Sequence, residues 1–383
     1  MAEPKDTVYP AEPHTQAKHG ILREYLKRWL PILAHQSENI GRKNARLLYV
    51  DGFAGAGEYS DQIPGSPIVA IQTALSHKHK FVVPIQIKFI EIREDRVVHL
   101  RKLVEAMRPD LAESGMIVVD DPIHGDCEGI INRIIDEHES RRESLGPALF
   151  FLDQFGYSSF AMSLIGRILK HEVCEVFSYL NWSLLHPFMA DPTKRAGITK
   201  AFGGEEWLQV IGLHGKEKED RFRDVYLTAL RQRGGTRYAY PFAMRDHNDR
   251  VIYWLFFCSN NLRGLEEMKR AMWTVDRSGG FEFSDKHAQS FGKLFKYEDA
   301  ELANDLAAGL DGRTLTIAEV EEYVLVNTPA CNYKRALGLL ERAGRLEAIG
   351  PATRRRQRSF NDRNLRVRFV DTVQPKDQTL FDY

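Results

Sequence analysis

The chain has 383 residues, 43% of them hydrophobic, and its 53 Lys+Arg are balanced by 53 Asp+Glu. That is enough apolar material for one large domain and a small one, and the balance excludes a globally basic nucleic-acid binder while leaving local patches open. Cys127, Cys174, Cys258 and Cys331 lie far apart with no Cys-Xaa-Xaa-Cys pair, which argues against a zinc finger or a disulfide framework, and no metal site is expected. With no basic-then-apolar leader, and no apolar run near the roughly 18 residues of a membrane helix, a reducing cytoplasm is the expected location.

Residues 1–13 are polar and carry three prolines. A helix is predicted from near His14, with Ala17, Ile21, Leu22, Tyr25 and Trp29 on its apolar side, Lys18, Arg23, Lys27 and Arg28 on the wetter side, and Pro31 disturbing its far end. The cluster His14, Lys18 and His19 at its front reads, by itself, as a solvated face. Leu47-Leu48-Tyr49-Val50 is β-prone and runs into Asp51-Gly52-Phe53-Ala54-Gly55-Ala56-Gly57. Glycine at a strand's carboxyl end permits positive φ and lets a ligand approach the backbone, as at the first loop of a dinucleotide or S-adenosylmethionine (AdoMet) site. A plain strand-to-helix turn would look the same. Ser66 is expected to cap the next helix, with Pro67 at its first position.

Ile85 to Glu91 alternates as a second strand ending in an acid, placed to accept ribose hydroxyls. A helix over 95–107 and a short strand over 116–119 follow, and beyond them Asp126 is a candidate for the adenine amino group. After a helix over 130–139, Ala148 to Leu152 is the most apolar strand, suited to the middle of a sheet covered on both faces. It leads into Asp153-Gln154-Phe155-Gly156-Tyr157, where an acid, an amide and aromatics could hold a planar amine beside a methyl donor. The lone pair would then be aimed by position, with no strong base required. A strand-terminating turn with buried aromatics is the bland alternative. The absence of a Pro-Cys pair disfavours a cysteine nucleophile.

A fifth strand is expected over 172–182, then a helical insertion over 187–235, then paired strands over 236–240 and 251–257 across the polar turn at 246–249. A helix over 260–273 packs back on the sheet. A connector at 286–295 precedes a second domain over 296–370: helices at 298–308, 317 onward behind a Thr316-Glu319 capping box, and 333–343 capped by Asn332, then two strands over 345–349 and 365–369. Three helices and a hairpin make a winged helix-turn-helix, whose Lys334, Arg335, Arg342, Arg354, Arg355, Arg356 and Arg358 suit nucleic-acid phosphates. A wing used for protein contact is the alternative. Residues 371–383 form a polar tail.

His14-Thr15 with Lys18-His19, the stretch from Tyr49 to Gly57, Gly65-Ser66-Pro67, Phe151-Leu152-Asp153-Gln154-Phe155-Gly156, and Ser259 to Lys269 together resemble the three-Cys-motif partner family. The resemblance covers most of the chain. It implies an α/β, Rossmann-like class I AdoMet-dependent methyltransferase domain over 1–285 with a C-terminal winged helix, and as partner a three-cysteine protein that resembles a radical-AdoMet enzyme. The front half is also similar to a ribosomal-RNA adenine-N6 methyltransferase. That similarity implies that Lys18 and His19 approach the methionine end of the cofactor, and Ser66 falls within the matching motif. Asp51, Gly52, Phe53, Ala54, Gly55 and Gly57 would line the same end, with Glu91 at the ribose, Asp126 near adenine, and Asp153, Gln154, Phe155 and Tyr157 at an acceptor base in RNA or DNA. The chain departs from the family at Gln154, where a proline is usual and would fix the backbone before the aromatic. That departure keeps open a non-catalytic adaptor that carries the three-cysteine partner to nucleic acid. A nuclease would need a metal-binding carboxylate cluster, and none is apparent.

Overall fold

The computed structural model describes residues 6–39, 46–78, 81–143, 145–154, 160–276, 282–284, 297–349 and 359–370. They fall into two compact units, the first reaching to Asp276 and taking in the strand at 282–284, the second comprising 297–349 and 359–370. The expected connector at 286–295, the tail at 371–383, Phe155, Tyr157 and the arginines at 354, 355, 356 and 358 lie outside the described residues.

The first unit is an α/β structure around a mixed nine-stranded sheet. Its strands are β1 (Leu47–Asp51), β2 (Ile85–Glu91), β3 (Ile117–Val119), β4 (Ile123–His124), β5 (Ala148–Leu152), β6 (Cys174–Leu180), β7 (Tyr238–Arg245), β8 (Val251–Ser259) and β9 (Glu282–Ser284). The order is β3-β2-β1-β5-β6-β8-β7-β9, with β4 added to β2. Strands β3, β2, β1, β5 and β6 run parallel, and β8 is antiparallel to both β6 and β7. The chain leaves β1 for β2 on one side and returns to β5 on the other, so the order reverses between β1 and β5, as at the switch point of doubly wound, Rossmann-like sheets.

Strand alternation divides the core. Leu48, Val50, Phe150, Leu152 and Val176 share one cluster with Ile131 and Ile135 of helix α5 (Cys127–Arg141), Ile165 of α6 (Met162–Leu169) and Leu230 of α9 (Gly215–Gln232). The intervening Tyr49, Phe151 and Phe177 are buried on the opposite face. There, Tyr25 of α1 (Pro13–Asn39) packs edge-on against Phe257, with ring centroids 5.2 Å apart. Helix α1 also packs against α2 (Ser66–Leu75) and α10 (Leu262–Val275). Helices α3 (Glu94–Ala106), α4 (Arg108–Ser114), α7 (Trp182–Leu185) and α8 (Arg195–Phe202) complete the unit.

Several local expectations are corrected. Helix α1 continues through Pro31, and Lys18, expected on the wet side, is only 6% exposed. The cap of α2 is Gly65, with Ser66 already helical. The region expected as an insertion is built into the main core: Phe202, Trp207, Phe222 and Tyr226 belong to the same cluster as the central strands. Strand β9, paired with β7, was not anticipated because its three residues carry no periodicity of their own.

The second unit comprises α11 (Asp299–Gly309), β10 (Thr314–Thr316), α12 (Ile317–Asn327), α13 (Lys334–Arg342), β11 (Leu346–Ile349) and β12 (Arg366–Phe369). The capping box forms in both directions: Thr316 accepts from the Glu319 amide, and the Glu319 carboxylate accepts from the Thr316 amide. Asn332 does not cap α13, whose N-cap is Tyr333 with no side-chain hydrogen bond. The sheet has three antiparallel strands, β10-β12-β11, with Val367 and Phe369 turned into a core shared by Leu306, Val320 and Leu337. No helix among the described residues is long and apolar enough to cross a membrane.

One buried carboxylate ties α1 to the sheet. Glu175 of β6 accepts hydrogen bonds from the Tyr25 hydroxyl of α1 at 2.5 Å and from the Ser259 hydroxyl at the end of β8 at 2.8 Å. Burial pushes its pKa up, and the two hydroxyls oppose that shift. A Cβ on Gly264 would lie 2.0 Å from its Oε1, so the first turn of α10 closes over the carboxylate only because residue 264 has no side chain. Tyr25→Phe is expected to destabilise the protein by about 1.5–3 kcal/mol, the range for a hydrogen bond to a charged group. Urea denaturation measures it, and an unchanged midpoint would deny Glu175 this anchoring role.

Candidate functional site

The site begins where β1 ends. Alternation puts Tyr49 and Asp51 on the face covered by α1, and Asp51 is fully buried. Past it the chain bridges the switch point: the Gly52 amide donates to Phe151 O on β5 and the Ala54 amide to Ile90 O on β2, each at 2.9 Å. The Gly55 amide donates to the Glu91 carboxylate at 2.8 Å. Gly57 has φ +89°, and a Cβ there would lie 2.7 Å from Leu100 Cδ1 of α3, so both conformation and packing require glycine. Gly52 is required by packing, because a Cβ would sit 2.6 Å from Cys127 Sγ at the start of α5.

Above this loop is a cavity of about 350 Å³. Residues 53–59 with Gly65 and Ser66 line one side, and His14, Thr15, Lys18 and His19 of α1 another. Asp153 and Gln154 enter from the tip of β5, Tyr179 and Asn181 from the end of β6, and Tyr253 from β8. Thr7, Tyr9, Pro10 and Glu12 of the N-terminal segment complete the lining. That segment is held by the Ser60 amide donating to Tyr9 O at 3.0 Å and by Tyr9 edge-on against Tyr59, with centroids 5.3 Å apart.

The charged groups here are arranged by burial. Lys18 donates to, and is ion-paired with, Asp153. Burial raises the Asp51 carboxyl from the ordinary 3.8 to about 7, aided by the Asp153 charge and opposed by the nearby Ser66 hydroxyl, the Phe53 amide and Lys18. Burial, with the charges of Lys18 and Arg23, lowers His19 to about 3, so its imidazole is neutral at physiological pH. His19 Nδ1 and the Tyr49 hydroxyl are buried with no hydrogen-bond partner among the described residues.

Of the residues singled out in the sequence, Lys18, His19, Phe53, Ala54, Gly55, Gly57, Ser66, Asp153 and Gln154 therefore line one cavity. Asp51 and Gly52 lie buried beneath it. Glu91 stands beside it through its bond to Gly55, and its other oxygen accepts from the Arg93 amide at 2.8 Å. Asp126 is away from the lining and caps α5, its Oδ2 accepting from the Gly129 amide at 2.7 Å. In the second unit, Lys334, Arg335 and Arg342 are all exposed along α13, while Ala336, Leu337 and Leu340 are buried. Arg366 and Arg368, exposed on β12, were not singled out, although the alternation Arg-Val-Arg-Phe signals them.

Tyr179, Asn181 and Tyr253 were also missed. Tyr179 and Asn181 could have been found as the carboxyl end of the fifth strand. Tyr253 lies inside an apolar run, and nothing local distinguishes it. Ile92, 61% exposed directly after Glu91, is an apolar side chain held in water at a strand tip.

No family model matches the chain, and no curated protein does. Among solved structures, it is similar to the DszA carbon methyltransferase at a TM-score of 0.32 and 12% identity, over 62% of this chain and 54% of that one. The fold assignment rests on strand order and direction, not on this likeness.

A carboxyl with a higher pKa folded than unfolded binds its proton more tightly in the folded state. The stability that Asp51 contributes is therefore full below the ordinary 3.8 and lost as pH rises towards about 7. Asp51→Asn is expected to gain on the unaltered protein across that window, by about 1.4 kcal/mol per pH unit of displacement. Urea denaturation at several pH values checks it, and a pH-independent difference would overturn the assignment to burial.

Proposed function

We propose that the chain is an AdoMet-dependent methyltransferase acting on nucleic acid at an exocyclic base amine. One observation carries the reading: the glycine loop after β1 and the acid after β5 open on the same cavity at the switch point of the sheet. The residues there fit the cofactor. A Cβ at Gly55 would meet nothing within 4 Å, so the backbone is open to a ligand, and His19 offers a buried ring nitrogen without a partner among the described residues. When bound, AdoMet supplies an electrophilic methyl group on a sulfonium.

Gly55 and Gly57 would hold the methionine end with Lys18, neutral His19 and Ser66. Glu91, whose oxygens each keep a lone pair beyond the amide bond they accept, would take the ribose hydroxyls, with Ile92 offering an apolar face and Asp126 a carboxylate to adenine. Asp153, with Gln154, would accept hydrogen bonds from the amine, aim its lone pair at the methyl carbon and receive the proton that nitrogen loses after attack. A base in a duplex must first be flipped out.

The second unit supports a winged helix-turn-helix, with the exposed cations of α13 on phosphates. Gln154 favours a second reading. It is 2% exposed and its amide lies 3.5 Å from Tyr179 O, so β6 engages it where the resembled family has proline. On that reading the chain is an adaptor that carries a radical-AdoMet-like three-cysteine partner to nucleic acid without methylating it.

Calorimetric titration is expected to give AdoMet binding that Gly57→Val abolishes; no binding to the unaltered protein removes the enzyme reading. Asp153→Asn should keep AdoMet binding and lower tritiated-methyl transfer to RNA or DNA by about 10²–10³, the usual cost of one positioned polar group. Binding without label in any polymer favours the adaptor. In the second unit, replacing Lys334, Arg335 and Arg342 by alanine should weaken nucleic-acid binding and flatten its salt dependence on duplex by about 0.9 for each phosphate no longer neutralised. An unchanged slope would move the nucleic-acid interface elsewhere.

A further inference from the structure

The cavity already holds an ammonium group, and its surroundings say what else could take that place. Lys18 is 6% exposed and ion-paired with Asp153. Its Nζ lies 5.4 Å from the ring centroid of Tyr179 and 5.7 Å from that of Tyr253. The two rings, 4.4 Å apart and inclined at 52°, form two walls with the carboxylate as a third. Both hydroxyls are tied: Tyr179 accepts from Asn181 Nδ2 at 2.6 Å, and Tyr253 donates to His14 O at 3.1 Å. Helix α1, the tip of β5, the end of β6 and the antiparallel strand β8 each contribute one part, so the arrangement depends on the whole first unit. Aromatic faces attract cations most strongly where water is excluded, and a carboxylate completes the match.

The remaining charges on the lining add no second attraction for anions. Glu12 pairs with His14 at 3.0 Å, Glu58 with His99 at 2.9 Å, and His19 is neutral. Among the described lining residues there is one lysine, already paired, and no arginine. A phosphate finds little to hold it here, whereas a group presenting N–H hydrogens with positive charge or polarisation finds a carboxylate and two ring faces.

We infer that Asp153, Tyr179 and Tyr253 form an amine-recognition subsite, that Lys18 fills it as a resident stand-in, and that the acceptor is an amine that displaces Lys18. This deepens the methyltransferase reading, on which its catalytic meaning rests, by naming the chemistry of the acceptor group: a phosphate-free amine, with any phosphates of its polymer outside the cavity. Tyr253 becomes a specificity residue for that acceptor.

The test is to vacate the subsite. The 383-residue chain with Lys18→Ala, titrated calorimetrically with n-butylammonium chloride, should bind at least tenfold more tightly than the unaltered protein, in which Lys18 competes. Its neutral isostere n-butanol should show no such gain, and adding Asp153→Asn should abolish it. Equal affinity in the unaltered protein, equal binding of n-butanol, or survival of the gain with Asp153→Asn overturns the proposal. Should Lys18→Ala fail to fold, Lys18→Met keeps the bulk of the side chain. Its thermal midpoint should fall and then recover when Asp153→Asn removes the unpaired carboxylate; no recovery overturns it equally. Failure of this subsite and failure of the cofactor reading are separable, since butylammonium uptake without AdoMet binding leaves the subsite standing, and the reverse leaves the cofactor site.

Discussion

Two backbone hydrogen bonds hold the site open. Gly52 donates to β5 and Ala54 to β2, so within three residues the chain leaving β1 is committed to both neighbouring strands. In a parallel sheet those neighbours diverge past their carboxyl tips, because the connections after them leave in different directions. A loop tied to both cannot collapse onto either. The cavity is the space left under that constraint, and glycine at 52 and 57 lets α5 and α3 approach it from below.

The second constraint is the placement of α1. Its apolar stripe would bury against almost any sheet face, but only one arrangement satisfies the Glu175 carboxylate on β6 through Tyr25, while Ser259 bonds it from β8. A buried carboxylate left unpaired is costly, so it acts as a pin. With α1 pinned there, Lys18, which helical spacing puts seven residues before Tyr25, arrives opposite Asp153. Packing and site geometry share this cause. The motif from Ser259 to Lys269, whose purpose was opaque in the sequence, supplies the hydroxyl and the glycine that accommodate the pin.

Burial then sets the protonation chemistry. Desolvation keeps His19 neutral and pushes Asp51 towards neutrality, while Asp153, partly open and facing Lys18, stands as one half of an ion pair. Three groups close together thus differ in charge because they differ in access to water.

Much of this molecule was legible as pattern. Five parallel strands, the loop at 52–57 and the acid after Leu152 follow from period-2 alternation, β-branched runs and glycine, each a short-range property of the chain. The capping box at Thr316 is local in the same way, and so could be read directly. What only the tertiary structure decided involves residues that meet from distant positions. Lys18 looks like a surface residue on a helical wheel and is buried because Asp153, 135 positions away, compensates its charge. Tyr253 sits in a strand that would be apolar in any context, and the antiparallel insertion of β8 beside β6 turns its ring towards Tyr179. Asp126 shows the converse, an acid in the expected place whose carboxylate is engaged by the start of the next helix. Sequence determines which segments become strands and helices, since those preferences reside in neighbouring residues. Which side chains share a cavity depends on how the whole sheet orders itself, because the energy of a buried charge is set by partners the local chain does not contain.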